Sequence, residues 1–139
     1  MARIMAIDYG RKRVGIAVTD ENQIIASALT TVHAREIFEF LDDYLREEEV
    51  ECIVVGEPKD WQGRDSEAVE FINPFVKKLH KKYSGVRIER HDESYTSKMA
   101  FQAMIDAGLK KKARQQKETI DKISATLILQ SFMEANPKN

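Results

Sequence analysis

Asp8 closes an apolar run, Ile4-Met5-Ala6-Ile7, and is followed at once by Tyr9-Gly10 and three cations, Arg11-Lys12-Arg13. Strand interiors disfavour aspartate. A buried carboxylate without a partner costs roughly several kcal/mol, so such groups pair with cations or a metal. Asp8 therefore belongs at a strand's carboxyl end, where a site can form. Two further acids stand in comparable settings: Glu93 follows another short strand, and Asp121 lies inside the last helical pattern. Three carboxylates with no histidine cluster point to oxygen-ligated Mg²⁺ or Mn²⁺.

That donor set suits phosphodiester cleavage. With Asp8 bridging two ions and Glu93 and Asp121 completing their shells, one ion would activate a water and the other would neutralise the leaving oxygen. The ions need a spacing of roughly 3.5–4 Å, so the acids must converge. No side-chain nucleophile is required, consistent with the lack of any Ser-His-Asp or Cys-His set at suggestive spacing. Arg11, Lys12 and Arg13, with the stretch holding Lys110, Lys111, Lys112, Arg114 and Lys117, could hold flanking phosphates. Tyr95 or Trp61 could stack on a base, with a core role equally open to each. A second basic cluster, Lys77-Lys78 and Lys81-Lys82, brackets His80. The plain alternatives are solvated helix faces for the lysines and a dipole-balancing acid for Asp121.

The elements that must position these groups follow from hydrophobic period. Arg3 to Asp8 and Arg13 to Thr19 read as strands joined by a tight turn, and Gln23 to Val32 extends them into a meander. Ile37, Phe40, Leu41, Tyr44 and Leu45 recur at helical spacing, predicting a helix over 34–48. Val50 to Gly56 is a continuous apolar run typical of a strand covered on both faces. Glu57 to Ser66, with Pro58 and Gly63, reads as a loop. Val69, Ile72, Val76, Leu79 and Tyr83 mark the next helix, with a kink or interruption expected near Asn73 because Pro74 follows.

Val86 to Arg90 is a short fifth strand. Thr96 or Ser97 can cap a helix to Ala107, and a final helix runs from about Gln115 to Glu134 with Ile120, Ile123, Leu127 and Phe132 facing inward. The order βββαβαβαα predicts an α/β fold, a mixed sheet with helices on both faces, in one domain over 1–139. Sites in such sheets gather beyond the strands' carboxyl ends, which brings Asp8, Gly56-Glu57-Pro58 and His91-Asp92-Glu93 together.

Composition sets the outer limits. At 42% apolar and 32% charged residues the chain is a folded, soluble type rather than a disordered one. A net charge of −1 excludes a generic polycation, so nucleic-acid binding would rest on local basic patches. The single cysteine, Cys52, precludes an internal disulfide framework and reads as a small core residue. No apolar stretch approaches membrane-spanning length and no charged-then-apolar leader is visible, which predicts a cytoplasmic protein without a membrane partner.

With those residues placed, the chain resembles the YqgF/RuvX family. The opening Asp8-Tyr9-Gly10-Arg11-Lys12-Arg13-Val14-Gly15-Ile16-Ala17-Val18 matches that family's first motif. Gly56-Glu57-Pro58 matches its glycine-leucine-proline, Asp92-Glu93-Ser94-Tyr95-Thr96-Ser97 its aspartate-glutamate-arginine with threonines, and Asp121-Lys122-Ile123-Ser124-Ala125 its C-terminal motif. The resemblance implies a ribonuclease H-like five-stranded sheet in the order 3-2-1-4-5 with strand 2 antiparallel. It also implies a metal-dependent nuclease with Asp8, Glu93 and Asp121 as catalytic acids. Members are associated with maturing the 5′ end of 16S ribosomal RNA and are described as Holliday-junction-resolvase-like. Two departures stand out: Ser94 replaces the arginine, so that phosphate or carboxylate contact is either missing or supplied by Lys98, and Glu57 replaces leucine, which makes it a candidate fourth metal ligand.

Three readings compete. RNA processing comes first and junction resolution second. A non-catalytic RNA-binding factor in ribosome assembly is the third. A phosphate-loop NTPase is excluded by the lack of Gly-x-x-x-x-Gly-Lys-Ser/Thr, and an actin-like ATPase needs two lobes where 139 residues supply one. Monomer or weak homodimer is expected, with the strand Gln23 to Val32 as the edge available for pairing.

Overall fold

Side-chain alternation along the first strand sets the layers. The computed structural model describes residues 2–58, 69–93 and 113–136, with side chains throughout these except at 58, 93 and 113–121. In β1 (Arg3–Tyr9), Met5 and Ile7 enter one core while Ile4 and Ala6 enter the other. A strand buried on both faces is what a continuous apolar run requires. β2 (Arg13–Thr19) pairs antiparallel with β1, and β3 (Ala26–His33) pairs antiparallel with β2. β4 (Val50–Pro58) lies parallel to β1, and β5 (Arg87–Glu93) parallel to β4. The sheet order is β3-β2-β1-β4-β5, the ribonuclease H-like arrangement, with β2 opposed to the others.

One face is covered by α1 (Ile37–Glu47) and α2 (Val69–Lys82), through Ile37, Leu41, Ile72, Phe75, Val76 and Leu79. The other is covered by α3 (Ala113–Ala135), which lays Ala125, Ile128, Leu129 and Phe132 against Ile4, Ala6, Ala17, Cys52 and Val54. Small residues on both sides, Ala6 and Ala17 against Ala125, allow close approach of helix and sheet. Cys52 is fully buried, as a core residue should be, and burial pushes its thiol up. Among the described residues no helix is long and apolar enough to cross a membrane.

Two turns hold the meander. The Gly10 N–H donates to the Arg13 carbonyl at 3.0 Å, and a Cβ on Gly10 would meet that oxygen at 2.7 Å, so a larger residue cannot be seated without backbone movement. Between β2 and β3, Oδ1 of Asp20 accepts from the Ile24 and Ile25 amides at 2.7 and 2.8 Å, and Gln23 adopts φ 58°. These amide bonds, that from Ile25 first, hold the Asp20 carboxyl below its ordinary range.

Several element limits differ from the sequence reading. β3 starts at Ala26, because 20–25 are spent on the Asp20 turn. Residues 34–36 form a 3₁₀ turn, with His33 Nδ1 accepting from the Arg35 amide at 3.2 Å, and the α-helix begins only at Ile37. α2 passes through Pro74 without interruption: the lost donor would have served the carbonyl of Glu70, an exposed residue that water can reach. β4 continues to Pro58 and β5 to Glu93, because the two strands keep pairing through Gly56↔His91, Glu57↔Asp92 and Pro58↔Glu93. In α3 the sheet-facing stripe is Ala125, Ile128, Leu129 and Phe132; Ile123 and Leu127 are only half-buried. The expected helix over 96–107 and most of the loop over 57–66 lie outside the described residues.

Candidate active site

The site is built where three parallel strands end side by side. Asp8 is the penultimate residue of β1, half-buried, and alternation puts it on the α3 side with Ile4 and Ala6. Its antiparallel partner on β2 is Gly15. On the other flank Ile7 pairs with Val55, so the next residue of β4 beside Asp8 is Gly56. Both strand neighbours of this carboxylate therefore lack a side chain. A Cβ at either position would occupy the space beside it.

Glu93 is the last residue of β5, paired with Pro58 at the end of β4. It is a strand residue rather than one that follows the strand, because β5 keeps pairing with β4 beyond Arg90. Asp121 belongs to α3, four and seven residues ahead of the buried Ala125 and Ile128. The side chains of Glu93 and Asp121 lie outside those described.

Glu57 takes the opposite face. Strand alternation groups it with Ile53 and Val55 on the α1–α2 side, and its carboxylate forms an ion pair with Arg90, which sits on that face with Ile88. The structure thus puts Glu57 and Asp8 on opposite faces of the sheet. A strand that lengthens by two residues carries Glu57 past the loop position from which it could have turned inward.

The cations divide in the same way. Arg11 lies over the ring of Phe71, its guanidinium carbon 5.1 Å from the centroid, while Tyr9 stacks on Phe75 at 4.0 Å. Lys12 is exposed, and its carbonyl accepts from the Ala34 amide at 2.9 Å, so the basic turn is braced against the start of the 3₁₀ segment. Arg13 opens β2 opposite His33. Arg114 and Lys117 belong to α3, with side chains outside those described. Lys98, Lys110, Lys111 and Lys112 lie outside the described residues altogether, as do Trp61 and Tyr95.

One contact escaped the sequence reading. His91 Nε2 lies 2.8 Å from Ser131 Oγ, and the imidazole meets Phe132 edge-on. Its only trace in the sequence is a strand-end histidine two residues before Glu93. The glycines at 15 and 56 were legible as residues, but not as the two neighbours of Asp8.

The donor chemistry fits a hard divalent cation. Carboxylate oxygen at Asp8 is the donor type that Mg²⁺ and Mn²⁺ select, and the strand residues flanking it, Gly15 and Gly56, add no side chain of their own. Among the described residues, no three His, Cys, Asp or Glu side chains converge as a metal-binding group.

Comparison with known proteins covers nearly the whole chain. Residues 2–135 match the family described as "RuvX: Holliday junction resolvase". A protein of Flavobacterium psychrophilum is 53% identical over 133 residues, spanning 96% of this chain and 97% of that protein. One of Flavobacterium johnsoniae is 51% identical over 135 residues, spanning 97% and 98% respectively. One of Christiangramia forsetii is 53% identical over 133 residues, spanning 96% and 98%. All three carry the name "Putative pre-16S rRNA nuclease".

Proposed function

The chain belongs to the RuvX family, and on that premise we propose that it is a divalent-metal-dependent nuclease that matures the 5′ end of pre-16S rRNA in the cytoplasm. The observation that carries the chemistry is the seat of Asp8: a carboxylate at a strand end, on the α3 side, between two glycines. The substrate class comes from the names of relatives that match over nearly their full length.

In this reading Asp8, Glu93 and Asp121 hold Mg²⁺ or Mn²⁺. Two register positions support this reading: Glu93 stands two residues after His91, which contacts α3, and Asp121 stands four residues before the buried Ala125 on α3. When bound, the ions lower the pKa of an attacking water and offset charge on the leaving oxygen. The protein's own residues do the rest. Three carboxylates set a fixed negative charge at the strand ends, and Gly15 and Gly56 leave the scissile phosphate room to approach Asp8. Arg11, Lys12 and Arg13 follow Asp8 directly and hold neighbouring phosphates, with Lys98, Lys110, Lys111, Lys112, Arg114 and Lys117 as the remaining cations of the same interface. The protein acts as a monomer or weak homodimer.

The family description favours one rival, cleavage of a four-way DNA junction. Purified protein is tested on 5′-extended 16S precursor RNA and on a labelled junction, with Mn²⁺ or with EDTA. RNA trimming that needs the metal and is lost in Asp8→Asn establishes the first reading. Paired junction cuts lost in the same variant establish the second. Binding without cleavage of either leaves an assembly factor.

A further inference from the structure

The outer side of α2 carries cations that the catalytic reading leaves unused. Lys77, Lys78, Lys81 and Lys82 are all exposed, and steps of one and four residues arrange them as two adjacent rows. They border a hollow of about 630 Å³ over Pro74. Lys82 is committed to Asp42, Nζ to Oδ2 at 2.9 Å, and Lys78 rests its ammonium 4.5 Å from the centre of the Phe38 ring. Among the described residues no acid pairs with Lys77, Lys78 or Lys81.

The row has a second end. Phe71, in the first turn of α2, holds the Arg11 guanidinium on its ring, and Lys78 and Lys82 follow it by seven and eleven residues on the same helix face. A positive ridge therefore runs about 16 Å, eleven residues of helix, from Arg11 to Lys82. It starts three residues after Asp8 and leads away from the strand ends along the face opposite α3. The neighbouring α1 exposes Glu39, Asp43 and Glu47 against one cation, Arg46, which pairs with Asp43 at 3.0 Å, so a polyanion is confined to α2 rather than spread over both helices. Complementing the helix dipole accounts for His80, Lys81 and Lys82 in the last turn, but not for Lys77, Lys78 or Arg11.

We propose that this ridge is an exosite for RNA. It binds the sugar–phosphate backbone of a segment flanking the one held at Asp8, so that the strand leaves the site past Arg11 and follows α2. The proposal rests on the nucleic-acid reading above but not on cleavage. Its lysines are point charges on flexible stems, which give affinity without sequence preference.

The test is the triple variant Lys77→Gln, Lys78→Gln, Lys81→Gln in the full chain. Fluorescence anisotropy in EDTA measures binding to single-stranded RNA of about 6 and about 20 nucleotides, lengths that cover one site and overrun it. Wild type is expected to hold the longer RNA more tightly. The variant should lose about tenfold on the longer RNA near 0.1 M salt, with the slope of log K against log salt reduced by about 2, and lose nothing on the shorter. The corresponding triple Lys→Arg variant should behave as wild type. Unchanged affinity and slope on the longer RNA overturn the proposal. So does an equal loss on both lengths, an arginine variant as weak as the glutamine one, or a wild type that prefers polyglutamate to RNA, which would point to an acidic protein partner. Cleavage of the short RNA with Mn²⁺ tests the nuclease reading separately. Failure there alongside the expected slopes removes the catalytic reading and leaves the exosite.

Discussion

His91 on β5 and Ser131 on α3 are joined by a 2.8 Å contact between Nε2 and Oγ, and the same imidazole packs edge-on against Phe132 with centroids 5.9 Å apart. This joins the strand that ends at Glu93 to the helix that contains Asp121. Cutting it should loosen the two elements relative to each other without unfolding either.

Ser131→Ala is therefore expected to cost about 0.5–1.5 kcal/mol, the net worth of one hydrogen bond. Urea unfolding reads that loss. If the link also aligns Glu93 with Asp121, kcat falls while KM for the precursor RNA holds, and Ser131→Thr restores both. An unchanged kcat in Ser131→Ala assigns the contact to stability alone.

Gly10→Ala tests the turn that follows Asp8. The added Cβ would stand 2.7 Å from the Arg13 carbonyl oxygen, and backbone cannot yield as a side-chain tip can. A loss of about 1–3 kcal/mol is expected, as for other overpacked sites. Calorimetry should show a lower Tm than wild type, and an equal Tm would show that the turn has another conformation available.

Glu57 and Asp8 should separate cleanly in function. Asp8→Asn removes the central charge of the site, worth several kcal/mol of transition-state stabilisation, and is expected to lower kcat by about 1000-fold. Glu57→Gln loosens the pair with Arg90 and should leave Mn²⁺-dependent kcat within about twofold, because Glu57 lies on the face of the sheet opposite Asp8. A collapse of activity in Glu57→Gln, with the fold intact by circular dichroism, would return Glu57 to the ligand set.

Tyr83 and Asp42 set opposite pH limits on the packing of α2 against α1. Tyr83 Oη donates to Asp42 Oδ1 at 2.8 Å. Burial, reinforced by the bond to the carboxylate, pushes the phenol well above its ordinary value. The Lys82 bond first, and the Tyr83 bond second, hold the Asp42 carboxyl below its own. Because the folded phenol binds its proton more tightly, its stabilisation is complete below about pH 10 and is lost as pH rises from there. The Asp42 contribution is present above about pH 4 and is lost as pH falls through the folded value. Urea midpoints across pH should decline on both limbs, and Tyr83→Phe should flatten the alkaline limb. Persistence of the full alkaline decline in that variant would assign it to other groups.

Most of the architecture could be read along the chain because it is written in local period. Apolar runs of strand length on either side of the Tyr9-Gly10 turn marked β1 and β2, helical spacing from Ile37 to Leu45 and from Val69 to Tyr83 marked α1 and α2, and their order led to a mixed sheet with helices on both faces. Asp8 was legible as a candidate for the same reason: a charge that closes an apolar run needs an explanation on the spot.

Non-local pairing decided the rest. β4 and β5 each extend past the ends that their sequence predicts because the ladder between them continues to Pro58 and Glu93, and no residue within either strand signals that. The extension also sends Glu57 to the face away from Asp8, where Arg90 receives it. α3 carries apolar residues on more than one side, and only its docking against Ala6, Ala17 and Val54 chose Ala125, Ile128 and Leu129 over Ile123 and Leu127. Gly15 and Gly56 become the walls beside Asp8 solely through register, β2 from one side and β4 from the other. Period is a property of neighbours in sequence, so the chain displays it; register and docking are settled between segments far apart in sequence, by the packing free energy of the assembled whole.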